Sequence, residues 1–153
     1  MATVAKVESL TVGGYVFTRL NDLIVLYGQG GGAGSNSAFR RPNTSAGYQV
    51  PVGKILVLYA FRAFSDGGTD GRFNPVYADN DVGFKTSTGF TNPVWYVGMA
   101  GNDNLMWTRS TVSGEVFEGP LFFEIPENKY PSMSSGSGSF VVNCQVFGYL
   151  KDA

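Results

Sequence analysis

Histidine is absent from this 153-residue chain, and the only cysteine is Cys144. A catalytic serine or cysteine needs a neighbouring base, which is histidine in most such enzymes. The motifs S-x-x-K and G-x-S-x-G, which mark other nucleophilic sites, are also absent. Zinc prefers cysteine and histidine ligands, so the chain has too few of them for a zinc site. We therefore predict a protein that is not an enzyme and has no cofactor, with Cys144 as a buried structural thiol.

Charge is sparse as well: charged residues make up 15% of the chain, against about 25% in typical soluble domains. The net charge is −1, and basic residues cluster nowhere beyond the pair Arg40-Arg41. Nucleic-acid binding requires several phosphates to be neutralised at once, so we expect no nucleic-acid partner. No apolar run approaches the length of a membrane span, and the first residues lack the apolar core of a signal peptide. We accordingly expect no membrane partner and no export by a signal peptide.

The chain instead contains short apolar runs bounded by Gly, Pro, Asn, Asp and Ser, which is typical of strands and turns. Such runs, in one domain of ordinary hydrophobic content, predict an all-β fold, an antiparallel β-sandwich of the jelly-roll type. The predicted strands are Ala2–Val7, Gly14–Arg19, Asp22–Tyr27, Lys54–Phe64, Phe73–Tyr77, Val94–Ala100, Leu105–Arg109, Glu115–Phe123, Tyr130–Ser134 and Ser139–Leu150.

Alternation within two of these strands predicts where they lie. Strict alternation in Lys54–Phe64 would place Tyr59 and Phe61 on one face and Leu58 and Ala60 on the other. Both faces are largely apolar, so we predict a central strand that is covered twice or lies at a subunit contact. In Ser139–Leu150 the predicted core face comprises Phe140, Val142, Cys144, Val146 and Gly148.

The segment Gly28–Gly34 (GQGGGAG) is predicted to be a flexible loop or hinge. It lacks the Lys-Ser/Thr ending of a phosphate-binding P-loop. A hinge here divides the chain into an N-terminal arm with its Gly-rich hinge, residues 1–36, and a β-sandwich domain, residues 37–153. The arm carries an apolar run that must be buried, against the main body or against a neighbour. This run comprises Leu23, Ile24, Val25, Leu26 and Tyr27.

Acidic residues offer two further hypotheses. Calcium accepts oxygen ligands on flexible loops, so Asp66, Asp70, Asp79 and Asp81 are candidate ligands, although their spacing matches no EF-hand. Asp-Gly turns account for the same residues without a metal. A pair of carboxylates can also hydrolyse glycosides, but the sequence does not show which carboxylates meet.

Trp95, Tyr96 and Trp107 form the remaining candidate site, because they flank the turn Gly101–Asn104 in neighbouring predicted strands. Exposed aromatic rings at such a turn would stack on sugars, whereas buried ones would belong to the core. Both interpretations stay open.

Two turn sequences carry a resemblance to a known family. Val50-Pro51-Val52-Gly53-Lys54 leads into a long apolar strand, and Ile125-Pro126-Glu127-Asn128-Lys129 precedes another, with Glu-Asn in place of Val-Gly. Together with the long final strand, the pattern resembles the small jelly-roll domains of phage virion proteins, most of all head-decoration (capsid cement) proteins. The resemblance implies a homotrimer on the outer capsid surface of a bacteriophage, bound to the major capsid protein. It also implies that the N-terminal segment acts as an arm over the shell.

On this hypothesis the protein stabilises the lattice by binding only its assembled form. We expect the contacts to come from the arm residues Leu23, Ile24, Val25, Leu26 and Tyr27, and from Arg40 and Arg41. The alternative is a glycan-binding module, of a phage tail fibre or a lectin, that uses Trp95, Tyr96 and Trp107.

Overall fold

A computed structural model describes residues 8–31, 35–66, 70–78, 94–95, 107–109, 116–135 and 141–153. Within these residues there is no helix, and therefore none with the length and apolar character needed to cross a membrane. The strands are β1 (Leu10–Val12), β2 (Tyr15–Phe17), β3 (Ile24–Gly31), β4 (Ser35–Ala38), β5 (Lys54–Asp66), β6 (Asp70–Ala78), β7 (Val94–Trp95), β8 (Trp107–Arg109), β9 (Val116–Ile125), β10 (Tyr130–Ser135) and β11 (Val141–Asp152). The all-β antiparallel prediction is confirmed.

The strands form two larger sheets and a hairpin, all with antiparallel pairing. One sheet has the order β3-β11-β5-β9, and the other has the order β4-β10-β6-β7, with β8 also paired to β6. The pairing is nested along the chain, because β3 pairs with β11, β4 with β10, β5 with β9, and β6 with β7 and β8. The third element is the two-stranded β1-β2 hairpin.

The main core lies on one face of the four-stranded sheet. Its residues alternate along β3, β5, β9 and β11 and are joined by side chains from the segment after β4. The buried members are Ile24, Leu26, Phe39, Val50, Leu56, Leu58, Phe61, Ala63, Leu121, Ile125, Cys144 and Val146, with Tyr48, Tyr77 and Leu150 packed against them. This arrangement is that of a two-layer, sandwich-like fold.

The β1-β2 hairpin covers the opposite face of the same sheet with aromatic packing. Phe17 is fully buried there against Phe147 and Tyr149, with ring centroids 6.0 and 5.8 Å away. Tyr15 stacks on Tyr59 at 4.7 Å. Where the hairpin covers it, the four-stranded sheet is therefore apolar on both faces, as the doubly apolar sequence of β5 predicts.

Strict alternation along β5 is wrong, because the strand carries an irregularity in its middle. Its register against both neighbours shifts between Leu58 and Ala60. Leu58 points into the main core, but beyond the shift Phe61 does so, while Ala60 packs under the hairpin. Gly148 lies opposite this point, where an added Cβ would clash with the carbonyl oxygen of Val57.

The separate N-terminal arm is not confirmed. Residues 24–31 form β3, which pairs along β11 within the four-stranded sheet. The loop prediction is wrong for Gly28–Gly31, which continues that strand. Ser35–Ala38, for which no strand was predicted, forms β4. Sequence reasoning also missed β1. The predicted strand Ala2–Val7 lies outside the described residues, as do residues 32–34 of the predicted hinge.

Candidate functional site

Four polar side chains from four strands form one row across the four-stranded sheet, next to the area that the hairpin covers. Gln145 of β11 pairs in register with Tyr27 of β3 and with Arg62 of β5. Arg62 in turn pairs with Glu118 of β9. The neighbouring row, two residues further along β11, is centred on Phe147 and is apolar because the hairpin packs on it. The polar row begins where this cover ends.

A groove of about 300 Å³ opens along this row. It is lined by Tyr27, Gly28, Arg62, Val116, Asn143, Cys144 and Gln145. The Tyr27 side chain is 37% exposed and Val116 is 57% exposed, so an aromatic ring and an aliphatic side chain border the groove at opposite edges of the sheet. The amides of Asn143 and Gln145 come from β11, one of the two strands between these edges.

An ion pair fixes the charged end of the row. Arg62 Nε donates a hydrogen bond to Glu118 Oε1 at 2.6 Å, and the N–H of Gly13 in the hairpin turn donates to Glu118 Oε2 at 3.3 Å. These hydrogen bonds, first that from Arg62 and then that from Gly13, hold the pKa of Glu118 below its ordinary value. Glu118 thus connects the hairpin to the sheet and remains a carboxylate at neutral pH.

Gly13 itself is required for this contact. Its φ is +58°, and an added Cβ would clash with the backbone of Gly119. Gly119 is constrained as well, because a Cβ there would lie 2.5 Å from the ring of Phe61. The tip of the hairpin therefore packs directly against the backbone of β9.

Cys144 is 2% exposed and belongs to the main core. Burial raises the pKa of its thiol well above the ordinary value. A protonated, buried thiol is a poor nucleophile, in agreement with the structural role predicted for it.

The structure places the predicted partner-binding residues mostly inside the protein. Ile24 and Leu26 are buried in the main core, and Leu23 and Val25 pack under the hairpin. Of the five residues in the run, Tyr27 is the exposed one, and it lines the groove. The other four contribute to the chain's own packing rather than to an arm that reaches a neighbour.

The arginine pair lies at the far side of β3, where Arg40 bridges to Tyr27 through backbone hydrogen bonds. Arg40 Nη1 donates to the carbonyl of Ser45 at 3.2 Å, and the Arg41 guanidinium lies 5.0 Å from the ring centroid of Tyr48. Burial raises the pKa of Tyr48, and the positive charge of Arg41 partly offsets this. Both arginines therefore have partners within the chain.

The two tryptophans of the predicted glycan site belong to strands that both pair with β6. Trp95 pairs in register with Val76, and Trp107 pairs with Arg72. Tyr96 lies outside the described residues, so the structure places two of the three, both in strands beside β6.

The candidate calcium ligands are described only in part. Asp66 ends β5 and Asp70 begins β6, whereas Asp79 and Asp81 lie outside the described residues. Among the described residues, no three potential metal ligands form a cluster.

The two similar turns, more than seventy residues apart in sequence, are neighbours in the fold. The N–H of Val50 donates to the carbonyl of Lys129, and the N–H of Asn128 donates to the carbonyl of Val50. In each turn the residue before the lysine is left-handed: φ is +77° at Gly53 and +65° at Asn128. Asn therefore replaces Gly without changing the turn conformation.

One aromatic side chain is largely exposed. Phe122 of the edge strand β9 is 71% exposed and contacts Tyr59 edge to face, with 6.5 Å between ring centroids. Because Tyr59 stacks on Tyr15, the three rings form a continuous aromatic patch. Sequence reasoning found neither this patch nor the polar row, since both depend on register across strands.

No protein-family model matches the chain, and no curated protein or solved structure shows significant similarity to it.

Proposed function

We propose that this chain is a structural, non-enzymatic protein of a virus particle, which binds the outside of the capsid and stabilises it. The observation that carries the proposal is the nested strand pairing. Counted from β3, with β7 and β8 sharing one position, the first strand pairs with the eighth, the second with the seventh, the third with the sixth and the fourth with the fifth. A long hairpin wrapped into two sheets gives this order, and this supports the jelly-roll fold that the sequence predicts. Jelly rolls are frequent in viral capsid proteins and in lectins.

The aromatic patch of Tyr15, Tyr59 and Phe122 supports the proposal by offering a contact surface. Aromatic side chains dominate the energetics of protein interfaces. The patch is held rigidly, because Tyr15 belongs to a hairpin whose turn packs on β9 at Gly119. A rigid contact surface loses little conformational entropy on binding.

The edge strand β9 favours contact through side chains over the addition of a strand from a partner. Pro120 lies exposed within it, and proline has no N–H to donate to an incoming strand. In the proposed mechanism, Phe122 packs into an apolar depression of the major capsid protein. A protein that binds only the assembled lattice shifts the equilibrium toward it by its binding free energy. Association of three copies would add avidity.

The experiment uses virus particles purified from the source of the gene and stripped of this protein. Adding the wild-type chain back should raise the temperature at which the particles release their genome. The variant Phe122→Glu should bind much more weakly and leave that temperature unchanged. The matched control is Val52→Glu, at a side chain that is 76% exposed in the Pro51–Lys54 turn, and it should bind as wild type does.

Absence of the chain from purified particles would overturn the proposal, as would stabilisation by Phe122→Glu equal to that by wild type. The mass of the purified protein in solution tests whether it forms a trimer. Light scattering should give a species near three times the chain mass of 16.4 kDa. Deletion of residues 1–27 is a poor test, because it removes the hairpin and the first part of β3 from the fold.

A further inference from the structure

The groove along the row of Tyr27, Gln145 and Arg62 has the features of a ligand site. At about 300 Å³ it lies at the lower end of the size range of small-molecule pockets. Its side chains come from neighbouring strands of one sheet, so their spacing is set by backbone hydrogen bonds rather than by loops. A site on strands is held more precisely than one on loops.

The charge of the groove selects the class of ligand. Arg62 is the charged residue among the described residues that line it, and its guanidinium is paired with Glu118 at 2.6 Å. The pair carries no net charge, so an anionic ligand would meet the Glu118 carboxylate as well as the guanidinium. A neutral ligand has no such conflict.

The hydrogen-bonding groups of the groove narrow the class of ligand further. Gln145 carries an exposed amide, which offers a donor and an acceptor side by side. The Arg62 guanidinium has five N–H donors, and its bond to Glu118 uses the one on Nε. Neighbouring hydroxyl groups of a sugar ring present donors and acceptors at matching separations. The half-exposed Tyr27 ring adds an apolar face on which the C–H face of such a ring can pack.

We propose that this groove binds a neutral saccharide, with Tyr27 stacking on the ring and with Gln145 and Arg62 binding its hydroxyl groups. The site differs from the predicted glycan site, because Trp95 and Trp107 belong to strands paired with β6, whereas the groove lies on the four-stranded sheet. It does not depend on capsid binding, because Phe122 is not part of the groove.

The first experiment applies the full-length protein to an array of immobilised oligosaccharides with neutral, sialylated and sulfated members. Isothermal titration calorimetry then measures affinity for the neutral oligosaccharide that gives the strongest signal. Binding should prefer neutral over anionic members. Tyr27→Ala and Gln145→Ala should each weaken binding about tenfold, the loss expected for one stacking contact or one good hydrogen bond.

Two matched controls separate loss of the site from loss of the fold. Gln49→Ala removes an exposed glutamine that donates to the Asn128 carbonyl, outside the groove, and Phe122→Ala removes an exposed aromatic ring. Both should bind saccharide as wild type does. Thermal unfolding should show that all four variants are folded.

Three results would overturn the proposal. They are the absence of binding to every neutral member of the array, a preference for anionic members, and an affinity that is unchanged in both groove variants. If the Phe122→Glu variant binds the saccharide as wild type does but no longer stabilises virus particles, the groove and the aromatic patch act independently.

Discussion

The carboxylate of Glu127 accepts a hydrogen bond from the backbone N–H of Gly53. The two residues belong to the two similar turns, and this bond joins them in addition to the backbone bonds between Val50 and the second turn. The two residues that distinguish the second turn from the first therefore help to hold the two turns together. Asn128 keeps the left-handed conformation, and Glu127 supplies an acceptor that the Val52 side chain of the first turn cannot supply.

Substitutions at Asn128 should separate conformation from contact. Asn128→Gly should leave the free energy of unfolding nearly unchanged, because glycine adopts positive φ without strain. Asn128→Val should lower it by about 1–2 kcal/mol, since a β-branched side chain is strained there. Urea unfolding measures both values. Equal stability of the two variants would contradict the assigned role of the turn.

Gly148 should tolerate no side chain. Its missing Cβ leaves room for the Val57 carbonyl at the irregularity in β5, so Gly148→Ala should cost about 3 kcal/mol or more, or prevent soluble expression. Gly14→Ala is the matched control, since Gly14 has φ +83° but open space around it, and should cost about 1–2 kcal/mol. If the Gly148→Ala protein is as stable as the Gly14→Ala protein, the backbone at the irregularity in β5 moves easily to make room for a Cβ.

The hairpin should depend on one aromatic side chain. Phe17→Ala removes a fully buried ring from the second core and should lower the free energy of unfolding by about 3–5 kcal/mol. Its neighbour Val16 points away from the sheet and is 53% exposed, so Val16→Ala should change stability by less than about 0.5 kcal/mol. Thermal unfolding of both variants tests this. A small effect of Phe17→Ala would mean that the hairpin contributes little to the fold.

Glu118 should make stability depend on pH in the acid range. Its pKa is lower in the folded protein than its ordinary value of 4.5, so its stabilising effect is complete above that pH. The effect is lost as the pH falls through the lower folded pKa. Because Glu118 is exposed, the contribution is below about 1 kcal/mol. Wild type should exceed Glu118→Gln in stability at pH 7, and the difference should shrink below pH 4.5. A difference that stays constant on acidification would exclude this coupling.

The sequence determined much of the local structure. Its turn residues and apolar runs located β5, β6, β9, β10 and β11, because the local composition shows where a strand is bounded by Gly, Pro and Asp. It also indicated that β5 is covered on both faces, since both sets of alternating residues are apolar. Short strands such as β1 and β4 were missed, because three or four residues carry too little periodicity.

Only the tertiary structure decided what depends on register and pairing. The shift at Leu58 and Ala60 moves the later residues of β5 to the opposite face, and no local signal marks it. The sequence indicates that the apolar run at Leu23–Tyr27 must be buried, but it does not indicate what the run packs against. In the structure the run pairs with β11 and packs under the hairpin of the same chain. The polar row of Tyr27, Gln145, Arg62 and Glu118 exists because strands distant in sequence align side by side, which local composition does not specify.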